Sequence, residues 1–424
     1  MSYFTTDLYE TKRELIIFSE KLAQGLSKSK KKFLMNMLYG IAKNQSCLLS
    51  QIARALDEDV KLINTIDRLS DQMIKFSDLD MKIVQKNYHD MISKYIPDIP
   101  VINLDNSEIV KEYANKLEDL DRVVDGSSTK SNDIKPGYHV CEASMVTKNE
   151  KQPISLYSHI YSTKSKGFKS MNDETIKSIK VVKEIMKERC TFVMDRGYDA
   201  DVFYNYFIEK NENKDDFIIR LKGNRNLLFK GKPKNVEKIA NQRKGKIRMN
   251  MYFKQKDKEI YVSHTRVALP KYADQSLTLV MVYGLSDETP LLLITNKRVT
   301  GKEDVHIIVR QYMQRWRIEE GFRFKKQEYG FEKMLIRKVH AMNVMNMLLM
   351  VHIGHISILA EEVDRKLLVI KMIERSRSLG NKVYLWLYRI QEGMREILQY
   401  AHQGIQEYLK IRKKKEYRQM QLRV

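Results

Sequence analysis

Tyr312, Arg315, Glu319 and Lys326 follow one another at intervals of three, four and seven residues in RQYMQRWRIEEGFRFKKQEYG. At about 100° per residue, these steps gather all four side chains within roughly 60° of one another on one helical stripe. Arg323 falls on the same stripe. A carboxylate set among cations and a phenol suits a phosphate-handling site. Glu319 would hold metal, Arg315, Arg323 and Lys326 would take phosphate oxygens, and Tyr312 would orient the strand. An ordinary salt-bridged helix uses the same residue types, and the spacing leaves both readings open. Glu320 projects about 100° away from Glu319, which makes Glu319 the better ligand of the two.

A metal-holding glutamate needs further oxygen ligands, and two aspartates stand where a fold could deliver them. Asp105 closes the apolar run VINLD and Asp195 closes TFVMD. Each therefore sits at the carboxyl end of a buried strand, where the active sites of α/β sheets gather. An aspartate after a strand is also a common turn residue. Arg196, beside Asp195, is expected either to contact phosphate or to pair with a nearby acid. Trp316 could stack on a base, although core packing is the preferred reading.

The elements that would position these residues change character along the chain. Residues 1–95 read as helical, with a basic run from Lys28 to Lys32 and almost no strand-like alternation. Within them, LLSQIARALDEDVKLINTIDRLSDQM places Leu49, Ile52, Ala53 and Leu56 on one face, then Leu62, Ile63, Ile66 and Leu69 on another. Two short helices around a turn fit either a DNA-binding helix-turn-helix or a plain helical hairpin. Texture shifts at Pro97 and Pro100, and residues 96–224 alternate strand-like and helical stretches, as in a mixed α/β sheet. Residues 225–300 read as a β-rich insertion, with the runs MYFKQ to VALP, LTLVMVYG and LLLITN. Residues 301–360 hold the glutamate-bearing helix and an apolar helix, Val344 to Ala360, expected to be buried in the core and not in a membrane. Residues 361–424 read as a helical, basic C-terminal region whose last fifteen residues carry seven basic groups and one acidic group.

Composition narrows the partner. Lys and Arg total 76 against 54 Asp and Glu, a formal net charge of +22. Such an excess favours a polyanion, and nucleic acid leads because each cation placed on a phosphate releases counterions. Three dispersed cysteines, Cys47, Cys141 and Cys190, show no disulfide or zinc spacing. The charged N-terminal stretch lacks the apolar segment of a secretory signal, so a cytoplasmic protein is expected. His352 to His355 spells HIGH, a synthetase motif, but lies in an apolar helical segment and reads as core histidines.

These residues resemble the DDE transposases of bacterial insertion sequences, specifically the IS-four group. That group is marked by Tyr, two residues, Arg, three residues, Glu, six residues and Lys, and Tyr312, Arg315, Glu319 and Lys326 match it without a mismatch. Its second block, an apolar run into Asp-Arg-Gly-Tyr, appears as FVMDRGYD with Asp195. Its first, an Asp followed by small polar residues and a Lys, appears as LDNSEIVK with Asp105 and Lys111. Asn106 departs from the second Asp of many relatives. Asp125 in VVDGSSTK nearly copies the pattern, but Asp105 is preferred because an apolar strand leads into it.

The resemblance, which spans about residues 101–350, implies a ribonuclease-H-like mixed sheet flanked by helices, interrupted by the β-rich insertion and preceded by the helical N-terminal DNA-binding module. It implies Asp105, Asp195 and Glu319 as catalytic metal ligands. Tyr312, Arg315, Lys326, Arg323, Lys111 and Arg196 would then contact DNA. Two Mg2+ ions about 3.5 to 4 Å apart, with Mn2+ able to substitute, would activate the attacking oxygen and stabilise the leaving one. The implied reaction cuts double-stranded DNA at terminal inverted repeats and joins the 3′-hydroxyl ends to target DNA, with a homodimer expected on DNA. A non-catalytic DNA-binding descendant and a hydrolytic nuclease with the same metal site are the alternatives.

Overall fold

The computed structural model describes residues 2–126, 128–130, 132–148, 152–253, 256–285, 289–377, 386–402 and 404–405. The basic run expected at residues 410–424 lies outside the described residues.

A twelve-stranded mixed sheet organises the chain. Its centre is β1 (Val101–Val110), which pairs antiparallel with β3 (Ile134–Val146) after the short edge strand β2 (Asp121–Val124). β3 pairs on its far side with β4 (Pro153–Tyr161). On its other side β1 runs parallel to β5 (Thr191–Met194), and β5 runs parallel to β6 (Asp216–Arg220). The resulting order, β4, β3, β1, β5, β6, with two antiparallel and then two parallel pairings, is the ribonuclease-H-like arrangement. Every residue of TFVM in β5 is buried because helices cover both faces of the sheet.

The β-rich insertion extends this sheet instead of forming a separate body. Its strands are β7 (Asn226–Phe229), β8 (Lys232–Asn235), β9 (Ile247–Phe253), β10 (Lys256–Leu269), β11 (Tyr272–Tyr283) and β12 (Leu291–Thr295). The run from MYFKQ to VALP thus divides into β9 and β10. β12 pairs antiparallel with β6 and joins the insertion to the core.

Five helices precede the sheet: α1 (Ser2–Leu22), α2 (Lys28–Asn44), α3 (Leu49–Leu56), α4 (Leu62–Lys75) and α5 (Asp78–Ile92). α6 (Met171–Ile185), α7 (Asp201–Glu209) and α8 (Val236–Ala240) punctuate the strands. After β12 come α9 (Lys302–Met313), α10 (Trp316–Glu328), α11 (Val339–Glu361), α12 (Leu367–Arg375) and α13 (Trp386–Leu398). The N-terminal helical module is present but not free-standing. α1 and α2 pack on α13, α2, α4 and α5 pack on α11, and their apolar residues share one core with the sheet. α11 is long and apolar enough to cross a membrane, yet it is buried along nearly its whole length within this core.

α3 and α4 form the expected helix pair, and α3 buries Ile52, Ala53, Ala55 and Leu56. α4 departs from the expected face. It buries Thr65, Leu69 and Met73, while Leu62 and Ile63 are exposed. The two histidines of HIGH are core residues. His352 pairs with Gln391 of α13 at 2.9 Å, and His355 stacks on Phe18 of α1.

Candidate active site

The β1–β5 register sets two aspartates side by side. Leu104 pairs in parallel with Met194, so Asp105 and Asp195 are the next residues on neighbouring strands, both at the carboxyl end of the pair. Asp105 is drawn down into the sheet end. Its Oδ1 accepts from the Asn106 amide at 3.0 Å and its Oδ2 accepts from Arg315 at 3.1 Å. Asp195 leaves the strand into a short turn, and its Oδ1 accepts from the Gly197 amide at 2.6 Å. A Cβ at position 197 would sit 3.0 Å from that same oxygen, which is why glycine follows Asp195-Arg196.

Glu319 arrives from the helical segment, which is not one continuous helix as the stripe implied. It breaks at Gln314 and Arg315 because the chain changes sides of the sheet there. Tyr312 of α9 packs in the core on one face, with Val193 and Ile218, whereas Ile318 and Phe322 of α10 belong to the core on the other. Arg315 sits at the crossing, above the strand ends. Its guanidinium donates to Asp105 at 3.1 Å and to Glu319 at 2.5 Å, binding a strand carboxylate to a helix carboxylate.

Electrostatics records the convergence. Burial raises the Asp105 carboxyl to about 7; the Arg315 charge opposes that rise, and the charges of Asp195 and Glu319 add to it. Arg315 is held more firmly protonated than usual by Asp105, Tyr312 and Glu319, against its own burial. Tyr312 is raised by burial, and Arg315 beside it works in the other direction.

The arrangement has the donor chemistry of a divalent-cation site, three carboxylates with no nitrogen or sulfur ligand. Among the described residues, no three such groups stand close enough together to share an ion. Arg315 bridges two of them. The all-oxygen donor set is of the kind a divalent ion takes, and Asp195 and Glu319 place negative charge beside Asp105 that such an ion would relieve.

The other candidates separate. Arg196 is exposed and has no acidic partner among the described residues. Lys326 pairs with Glu108 of β1 at 3.0 Å and with Glu332 at 3.3 Å, about two helical turns beyond Glu319. Arg323 turns to Glu320 at 2.6 Å, away from Glu319. Lys111 differs most from its expected place on phosphate. It is buried, and its ammonium donates to the carbonyls of Glu332 and Met334, both at 2.7 Å. Burial lowers it to about 8. Trp316 is 44% exposed instead of packed in the core, with Arg317 over its ring. Asp125 pairs with Lys135 at 2.9 Å beside the edge strand β2, apart from the cluster.

Two features were missed from the sequence. Lys325 is 1% exposed and its ammonium meets Glu142 of β3 at 2.5 Å, with Ser158 and Asn346 completing a buried network. This pair pins α10 to the sheet and so fixes the direction of Glu319. The signal was available, since Ile318, Phe322, Lys325 and Tyr329 share the buried stripe of α10 and one of them is a lysine. Asn106, the departure from the second Asp, donates to the Tyr198 hydroxyl at 3.0 Å and to Thr175 at 3.3 Å. It ties β1 to the turn after Asp195.

Residues 149–353 match the transposase DDE domain family. The matched span holds Asp195 and Glu319 and begins after Asp105. No curated protein matches the chain. Among solved structures, a piggyBac transposase in a synaptic complex with hairpin DNA is similar, with 10% identity and a TM-score of 0.48, over 95% of this chain and 79% of that one.

Proposed function

We propose that this chain is a DNA transposase of a bacterial insertion sequence, which cuts the ends of its element and joins the freed 3′-hydroxyls to target DNA. The observation that carries the reading is the placing of Asp105 and Asp195 on adjacent parallel strands, with Asp105 and Glu319 held to one guanidinium, that of Arg315. The match to transposase DDE domains over residues 149–353 supports it.

In this reading Asp105, Asp195 and Glu319 would hold two Mg2+ ions. When bound, the ions supply activation of the attacking oxygen and stabilisation of the leaving oxygen in an in-line displacement at phosphorus. The protein's own share is placement. Arg315 brings a strand carboxylate and a helix carboxylate to one spot, the Lys325–Glu142 pair fixes the helix, and Asn106 with Tyr198 fixes the turn after Asp195. Arg196, exposed beside Asp195, is the guanidinium that would meet phosphate oxygens, whereas Arg315 is committed to Asp105 and Glu319. Double-stranded DNA is the substrate, and two element ends brought together call for a homodimer on DNA.

The test is nicking and joining of a duplex carrying the gene's own flanking ends, with Mg2+ or with EDTA, for wild type and Glu319→Ala. Cutting and joining that need the metal and are lost in Glu319→Ala support the proposal. Specific binding by the wild type without any cutting refutes it in favour of a non-catalytic DNA-binding protein.

A further inference from the structure

One face of the insertion changes character along its strands. Towards the carboxylate end it is apolar, where Ile260 and Val262 of β10, Val280 and Val282 of β11 and Leu293 of β12 pack with Val305, Ile308 and Val309 of α9. Strand alternation places His264 and Arg266 on the same face, further from that end. Arg266 stands opposite Thr278 of β11, and Thr278 stands opposite Thr295 of β12. There the covering helix has not yet begun, and the face opens into a groove of about 380 Å3 lined by His264, Arg266, Ser276, Thr278, Lys297 and Arg298, among others.

The charge of this groove is one-sided. No carboxylate lines it. Arg266 and Arg298 are exposed, and neither they nor His264 has an acidic partner among the described residues. Lys297 is already committed to Gln311 at 2.9 Å and to Asp216 at 3.8 Å. Elsewhere the chain pairs many of its cations, as with Arg225 on Asp199 and Lys135 on Asp125. Two unpaired guanidinium groups, an imidazole and a serine hydroxyl around a carboxylate-free groove make a receptor for phosphodiester oxygens.

We infer that this groove is a second phosphate-backbone site for duplex DNA, remote from the carboxylates. Four strand spacings separate β10 from β5, so Arg266 lies about 20 Å from Asp195. That is roughly six base pairs along a B-form duplex, too far to touch the reacting phosphate. The groove therefore contributes affinity and register. The inference rests on the reading of the chain as an enzyme acting on DNA.

Binding of the full chain to a duplex of the gene's flanking end, measured in EDTA across a range of salt, tests it. Each phosphate contact contributes a slope of about −0.9 in log K against log salt, so Arg266→Ala/Arg298→Ala is expected to flatten the slope by about 1.8. Arg266→Lys/Arg298→Lys should restore most of it, because the charge returns. A control pair on the opposite face, Lys180→Ala/Lys187→Ala, should leave the slope in place. A slope unchanged in the arginine double variant, or flattened no more than in the control, overturns the groove while the DNA-acting reading stands. A wild type that binds no DNA at any salt overturns both.

Discussion

Asp105→Asn should make the metal-free protein more stable, increasingly so as pH rises. Burial and the neighbouring charges of Asp195 and Glu319 lift the Asp105 carboxyl from the ordinary 3.8 to about 7, in spite of Arg315. Between those values the folded chain keeps a proton that the unfolded chain has lost. Stability therefore falls as pH rises through this window and levels off above about 7. A displacement of about 3 pH units corresponds to about 4 kcal/mol in full, of which roughly 2–3 kcal/mol develops between pH 5 and pH 8. Asparagine keeps the shape without the charge, and its effect on Arg315, which still holds Glu319, adds an offset that does not vary with pH. Urea midpoints of wild type and Asp105→Asn at pH 5, 6, 7 and 8 in EDTA should diverge by that amount. Mg2+ should close the gap at pH 8 by favouring the wild-type carboxylate. A difference that stays constant across pH would refute the placement of a largely buried Asp105 beside two acidic neighbours.

Lys325→Met leaves the Glu142 carboxylate buried without its counter-charge and should cost about 3–5 kcal/mol in urea unfolding, while Lys325→Met/Glu142→Leu should recover most of the loss. A double variant as unstable as the single one would show that the pair does not act as a unit. Burial pushes the thiols of Cys47 and Cys141 up to about 12, and that of Cys190 to about 11. At pH 8 the native chain should therefore resist iodoacetamide at all three cysteines, which should react fully in urea. Labelling of any of them in the native chain at the rate seen in urea would contradict the burial assigned to that thiol.

What was legible in the sequence was what local pattern encodes. Ile102 to Leu104 and TFVM are buried on both sides because both faces of the sheet are covered, and these mostly apolar runs let the two aspartates at their ends be found by eye. The spacing of Tyr312, Arg315, Glu319 and Lys326 located the third carboxylate. The break at Gln314 and Arg315 was not legible, since every residue there suits a helix and the interruption arises only from the chain crossing the sheet. Lys111 was assigned to phosphate by its place in a motif, but the carbonyls that capture it come from Glu332 and Met334, more than two hundred residues away. For the same reason the N-terminal helices read as a separate module, because the partners of their apolar faces lie in α11, α12 and α13. Leu62 and Ile63 belong to an apolar pattern whose buried side was set by Leu69 and Met73 instead.

The central claim is that Asp105, Asp195 and Glu319 form one site that joins DNA, and strand transfer from a precut end tests it most directly. A duplex with a free 3′-hydroxyl at the flanking end, mixed with supercoiled plasmid and Mg2+, should yield plasmid joined to that end with wild type. Asp105→Asn, Asp195→Asn and Glu319→Gln should each yield none while still binding the duplex. Hydrolysis without joining, or joining that survives loss of any one of the three carboxylates, would contradict the account.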